Sequence, residues 1–224
     1  MTTFFIAGTD TNVGKSLITG LLANYIQQQG HSVTTQKWVQ TGATTYEDLL
    51  YHDTWFTPPK ETYQTRCPYL FPHPASPHLA AKKADIIIKK ETLLSPIHTS
   101  YDYTLIEGSG GVMVPYSDSL TCIDILQEAQ LPVLIISSQK LGTINHTLLT
   151  IEALQTRGIP IAGVIFNHTV PSEDPLREKD HVEIIQKITG ISVLGTLPYL
   201  TDKTDRISIQ AAFQPIGKAL IKLV

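Results

Sequence analysis

At 224 residues the chain is long enough to bury a full core and matches the size of one ordinary domain. Its 42% hydrophobic and 17% charged residues are those of a globular protein. The net charge of −3, without a basic block or stripe, argues against nucleic acid as the main partner. Two cysteines, Cys67 and Cys122, match no C-x-x-C metal or redox spacing and are expected as buried, reduced thiols. No apolar run approaches a membrane span, and an apolar strand at the start of the chain leaves no signal peptide. The expectation is a soluble, cytoplasmic protein of one domain, residues 1–224, with neither membrane nor nucleic-acid partner.

The first element is predicted as a strand over Thr3-Phe4-Phe5-Ile6-Ala7, followed by Gly8-Thr9-Asp10-Thr11-Asn12-Val13-Gly14-Lys15-Ser16 and an amphipathic helix over 17–29. Strand, glycine-rich loop and helix in that order form a phosphate-binding loop. Its backbone N–H groups and the helix dipole hold phosphate oxygens, a lysine reaches the β- and γ-phosphates, and a hydroxyl sits on Mg²⁺. Here the lysine is Lys15 and the hydroxyl Ser16. The loop departs from G-x-x-x-x-G-K-[ST], because five residues separate Gly8 from Gly14 and Thr9 stands where a glycine is usual.

After a stop at Gly30, a strand is expected over Val33–Val39, running into Lys37-Trp38-Val39-Gln40-Thr41-Gly42. A short helix over 46–56 and a proline-rich, irregular excursion from Pro58 to Pro77 follow. Ser76 and Pro77 read as the N-cap and first residue of a helix. Strand and helix then alternate: strand Tyr103–Glu107 into Gly108–Gly111, helix 122–130, strand 132–137, helix 143–157, strand 161–166, helix near 180–189, strand 193–197 and a last helix over 207–223. This pattern predicts a doubly wound α/β domain with a largely parallel sheet covered on both faces. Ligands of such sheets bind at the strands' carboxyl ends. The polar residues collect there: Lys37, Glu107, Ser138–Asn145, Asn167 and Pro198-Tyr199.

Glu107 closes an apolar strand, where a carboxylate needs a partner. Mg²⁺ shared with Ser16 and nucleotide phosphates would serve, and so would an ion pair with Lys15 or Lys37. Lys37 beside the loop suggests a second phosphate clamp. The eight histidines show no metal-ligand spacing and are expected to be structural or solvated, and Tyr46, Tyr51, Trp55 and Phe56 to be packing.

Taken in order, these segments resemble the dethiobiotin synthetase family over nearly the whole chain. The resemblance rests on Gly8-Thr9-Asp10-Thr11-Asn12-Val13-Gly14-Lys15-Ser16, Lys37–Gly42, Ser76-Pro77-His78, Glu107–Gly111, Leu141-Gly142-Thr143-Ile144-Asn145-His146, Asn167 and Leu197-Pro198-Tyr199-Leu200. Asn12 replaces an acid of some members, Trp38 a proline, Ser109 an alanine and Thr143 a cysteine. The resemblance implies ATP as co-substrate, Mg²⁺, and ring closure of 7,8-diaminononanoate with CO₂ through a carbamate and a carbamic–phosphoric anhydride. By the same resemblance Lys15, Lys37 and Thr11 are catalytic, and Asp10 through Ser16 bind the nucleotide with Asn167, Pro198, Tyr199 and Leu200. Ser16, Asp48 and Glu107 hold the metal, with Asp53 a possible substitute for Asp48. Thr41, Gly111, Val112, Pro115, Gly142, Thr143 and Asn145 bind the diamine, the helix start at Gly142 coming from the second subunit of a homodimer.

Three other protein classes share part of this pattern. Partition-type switch ATPases carry a signature lysine where this chain has Asp10. Small-molecule kinases bring an Arg-rich lid, and only Arg66, Arg157, Arg177 and Arg206 are present. A glutamine-dependent amidoligase would need a glutaminase domain for which there is no room.

Overall fold

The computed structural model describes residues 1–95, 100–172 and 174–222. Strands β1 (Thr2–Gly8), β2 (Val33–Lys37), β5 (Tyr103–Gly111), β6 (Val133–Ser138), β7 (Ile161–Asn167) and β8 (Val193–Leu197) form one parallel sheet in the order β2-β5-β1-β6-β7-β8. A second, two-stranded parallel sheet pairs β3 (Val39–Thr41) with β4 (Tyr69–Phe71). The long helices are α1 (Lys15–Gln28), α7 (Thr143–Thr156), α8 (Pro175–Thr189) and α9 (Arg206–Ile221). The shorter ones are α2 (Glu47–Asp53), α3 (Tyr63–Arg66), α4 (Pro77–Lys83), α5 (Lys90–Leu94) and α6 (Cys122–Ala129).

The period of two along each strand sorts its residues between two cores. Phe4, Ile6, Leu105, Leu134, Ile136 and Ile165 face α1 and α9 through Ile18, Leu22, Ile26, Phe213 and Leu220. Phe5, Ala7, Ile106, Val133, Ile135, Val164 and Phe166 face the other side, with Ile123, Leu126, Ile151, Leu154 and Ile185. A sheet buried on both faces accounts for near-continuous apolar strands. Burial also pushes both thiols, Cys67 and Cys122, up to about 12, and neither is in a disulfide.

The departures from sequence expectation have local causes. The strand expected through Val39 ends at Lys37, because Trp38 turns inward onto Phe5, ring centroids 4.6 Å apart, and the chain leaves the main sheet for β3. The proline-rich excursion contains α3 and β4, each too short to show a period. The helix expected over 46–56 is confined to Glu47–Asp53. Helix α8 begins at Pro175, ahead of the expected 180, because the Asp174 carboxylate accepts from Leu176 N and Arg177 N, both at 3.1 Å. Ser76 stands at the N-cap of α4 without a capping side-chain bond, its hydroxyl pairing instead with His78 Nδ1 at 2.9 Å. The last helix runs Arg206–Ile221, and the expected end at Leu223 lies outside the described residues. No helix among the described residues is long and apolar enough to cross a membrane.

Candidate active site

The central strand β1 delivers the glycine loop to the carboxyl edge of the sheet, and α1 starts directly beyond it. Crossovers lead from β1 to β2 on one side and from β6 through β8 on the other, so the loop sits where their direction reverses. Asn12 (φ 56) and Gly14 (φ 96) are left-handed, a conformation glycine adopts without strain. Gly14 also admits Asn167: a Cβ there would stand 2.1 Å from Asn167 Nδ2, which donates to Val13 O at 3.0 Å. Val13 is buried and anchors the loop in the core. Asp10 is held by Lys140 and Thr11. Its carboxylate accepts from Thr11 N at 2.7 Å and pairs with Lys140 at 3.1 Å, which shapes the loop and holds its pKa below the usual range.

A cleft of about 430 Å³ opens beside the loop, lined by Thr11, Lys15, Ser16, Lys37, Gln40, Thr41, Asp48, Glu107 and Ser109 among others. Within it Lys37 Nζ lies 2.7 Å from Glu107 Oε1 and 2.7 Å from Asp48 Oδ2, and donates to Gly108 O at 3.2 Å. The ion pair foreseen for Glu107 is therefore made with Lys37. Burial would raise the Glu107 pKa, but Lys37, His52 and Lys15 outweigh it and hold it far below the carboxylate range. Burial would likewise lower the Lys37 pKa, and the two carboxylates drive it above the ordinary lysine value. Lys15 is buried with Nζ 3.4 Å from Asp10 O, and there desolvation prevails and lowers its pKa.

Ser16 Oγ stands 3.1 Å from Asp48 Oδ1 and 3.1 Å from Glu107 Oε1. One hydroxyl proton satisfies only one of them, whereas a cation among the three oxygens satisfies all. Bonds of about 2.1 Å would put neighbouring ligands of an octahedral Mg²⁺ roughly 3.0 Å apart, close to the 3.1 Å separations of Ser16 Oγ from the two carboxylates. The donor set fits a small, hard divalent ion. No group of three or more His, Cys, Asp or Glu among the described residues could hold a metal, so the remaining ligands here would be phosphates and water. Asp53, the alternative to Asp48, is instead held by Arg66 through 2.7 and 2.8 Å bonds outside this cleft.

A second cleft of about 470 Å³ continues from Asn12, Gly14 and Leu17 to Asn167, Tyr199 and Leu200. Its walls include Tyr51 and Trp55, expected from the sequence to be packing, together with His168, Thr169 and Lys203. Pro198 is not among the lining residues. Gly111, Val112, Pro115, Gly142, Thr143 and Asn145 line neither cleft. Val112 is buried in the core, and the Thr143 hydroxyl is within 2.8 Å of Ser137 Oγ, while Gly142 and Asn145 are exposed at the start of α7. Sequence reasoning also missed His52, fully buried with Nε2 2.7 Å from Glu107 Oε2. Its signal was the i, i+4 spacing from Asp48, which places both on one face of α2.

The chain matches the family model described as an AAA domain over residues 2–206. It is 38% identical over 212 residues to an ATP-dependent dethiobiotin synthetase of Halalkalibacterium halodurans, covering 89% of this chain and 85% of the relative. To one from Haemophilus influenzae it is 46% identical over 173 residues, covering 73% of this chain and 89% of that one. The cell-division ATPase MinD of Pyrococcus furiosus superposes with a TM-score of 0.60 at 14% identity, covering 100% of each chain, a likeness of fold alone.

Proposed function

The chain belongs to the family of ATP-dependent dethiobiotin synthetases, and on that premise we propose that it closes the ureido ring of dethiobiotin from 7,8-diaminononanoate, CO₂ and ATP. The observation that carries the reading is the first cleft, where two buried ammonium groups, Lys15 and Lys37, share a wall with Ser16, Asp48 and Glu107.

ATP lies across both clefts, its phosphates over the loop amides of residues 12–16 and its base between Asn167, Tyr199 and Leu200. With Asn167 Nδ2 engaged by Val13 O, its Oδ1 is left to accept from an exocyclic amine, as adenine presents. One amine of the substrate takes up CO₂ and loses a proton, giving a carbamate held by Lys37, Thr11 and Thr41. A carbamate oxygen attacks the γ-phosphorus and ADP leaves. The neighbouring amine then attacks the carbonyl carbon of the mixed anhydride, and phosphate departs with the oxygen that came from CO₂. Each step gathers or moves negative charge between fixed groups, so positioned cations and donors in a shielded cleft supply most of the catalysis. Lys15 faces the transferring phosphoryl group and Lys37 the carbamate. Ser16, Asp48 and Glu107 would hold Mg²⁺, which when bound would supply charge neutralisation on the phosphates.

The substrate's carboxylate is anchored by the exposed start of α7, Gly142 to Asn145, of a second copy, whose free N–H groups suit an anion. Its aliphatic stem runs along the Gly111–Pro115 segment. The exposure of Gly142 and Asn145 at that helix start supports a site completed in a homodimer. The working compartment is the cytoplasm, where ATP is available. In a mixture of diamine, bicarbonate, Mg²⁺ and ATP, dethiobiotin and phosphate appear together, and Lys15→Ala or Lys37→Ala lowers the rate at least about 100-fold, as loss of a charge-stabilising donor does. Phosphate release indifferent to the diamine would contradict the reading.

A further inference from the structure

Glu107 divides its two oxygens between different partners. Oε1 faces Ser16 Oγ at 3.1 Å and Lys37 Nζ at 2.7 Å, whereas Oε2 lies 2.7 Å from His52 Nε2. The carboxylate only accepts, so His52 carries its proton on Nε2 and donates it. The other ring nitrogen, Nδ1, is buried and has no hydrogen-bond partner among the described residues. Burying an imidazole with one nitrogen unsatisfied costs free energy that an apolar side chain would not. Packing is therefore a poor reason for a histidine here, and the bond to Glu107 a good one.

We infer that His52 is a positioning residue that turns Glu107 so that Oε1 alone meets the cation site, the inference resting on the reading of Ser16, Asp48 and Glu107 as magnesium ligands. Without the Nε2–H bond the carboxylate is free to rotate and bring both oxygens to Lys37. A metal arriving with ATP would then have to reorient it. With the bond, one ligand oxygen is already in place, and outer partners of this kind govern metal affinity. Helix α2 thus contributes twice from one face, Asp48 as a ligand and His52 as the orienting group of another.

The test is a Mn²⁺ titration followed by electron paramagnetic resonance with a non-hydrolysable ATP analogue, alongside nucleotide affinity without metal. His52→Leu is expected to weaken Mn²⁺ binding by about 10- to 100-fold while metal-free nucleotide affinity stays unchanged. His52→Gln, whose amide nitrogen reaches nearly as far and always donates, restores most of the affinity, and His52→Asn, a bond shorter, does not. A purely structural role would not produce that division, and should His52→Leu fail to fold, the Gln and Asn variants decide. Wild-type Mn²⁺ affinity in His52→Leu, or equal defects in the Gln and Asn variants, would overturn the inference. Glu107→Gln separates the two readings: if it weakens Mn²⁺ while His52→Leu does not, positioning alone falls. If Glu107→Gln binds Mn²⁺ as wild type does, the ligand assignment falls and takes the inference with it.

Discussion

Lys37 compensates two carboxylates in the structure, with its ammonium 2.7 Å from both Asp48 Oδ2 and Glu107 Oε1. Removing one partner of a buried ion pair leaves the other charge exposed to the low-dielectric interior and costs about 3–5 kcal/mol. Lys37→Met should therefore lower stability, the surviving bond from His52 to Glu107 placing the loss toward the lower end of that range. With the ammonium's charge withdrawn, the two carboxylates would attract the proposed Mg²⁺ more strongly. In Lys37→Met, millimolar Mg²⁺ without nucleotide should raise the melting temperature clearly more than in the parent protein. Equal shifts in the two proteins would contradict the placement of the metal between Ser16, Asp48 and Glu107.

At the scale of elements, the site depends on how α1 holds α2. Gly20 on α1 lies against the Trp55 indole, where an added Cβ would stand 2.5 Å from Cδ1 and 3.4 Å from His52 Cα. Alanine would gain about 0.5–1 kcal/mol in helix propensity, but overpacking costs about 1–3 kcal/mol, so Gly20→Ala should destabilise in a denaturant titration. Because α2 carries Asp48 and His52, turnover should fall as well. Unchanged stability and rate would show that α2 is not held by this contact.

Element by element, what was legible in the sequence follows from what is local. The loop from Gly8 to Ser16, the apolar strands and the order of strands and helices show in composition and period, because each strand is buried on both faces. The β3–β4 sheet was not legible, since its strands have three residues each and pair across a gap of more than 25 positions in the chain. Lys37, Glu107 and Ser16 were legible as strand-end and loop residues. Asp48 was named from the sequence with Asp53 as a substitute; that Arg66 reaches Asp53 from α3 was not legible, since nothing in the spacing announces that pair. His52 was read among eight histidines without ligand spacing, and the i, i+4 relation to Asp48 has meaning only once α2 is known to face Glu107.

For the whole molecule, the buried charges link stability to pH. The folded Glu107 pKa lies far below its unfolded value, so its contribution is present above the ordinary carboxylate range and is lost as pH falls below about 4.3 toward the folded value. Lys37 has the opposite sign: its folded pKa is raised, so its contribution is present below about 10.4 and is lost as pH rises through the folded value. Melting temperatures should accordingly fall at both ends of the pH scale, and in Glu107→Gln the acid-side fall should be shallower than in the parent. Parallel acid limbs would show that Glu107 is not charged and paired in the folded state.

In the proposed reaction a carbamate oxygen reaches the γ-phosphate in the cleft between Lys15 and Lys37. This step is tested most directly by supplying ¹⁸O-labelled CO₂ with 7,8-diaminononanoate, Mg²⁺ and ATP, and analysing the phosphate before the label exchanges with water. One ¹⁸O is expected in each phosphate released, formed in step with dethiobiotin. Phosphate free of label, or labelled to the same extent without the diamine, would contradict it.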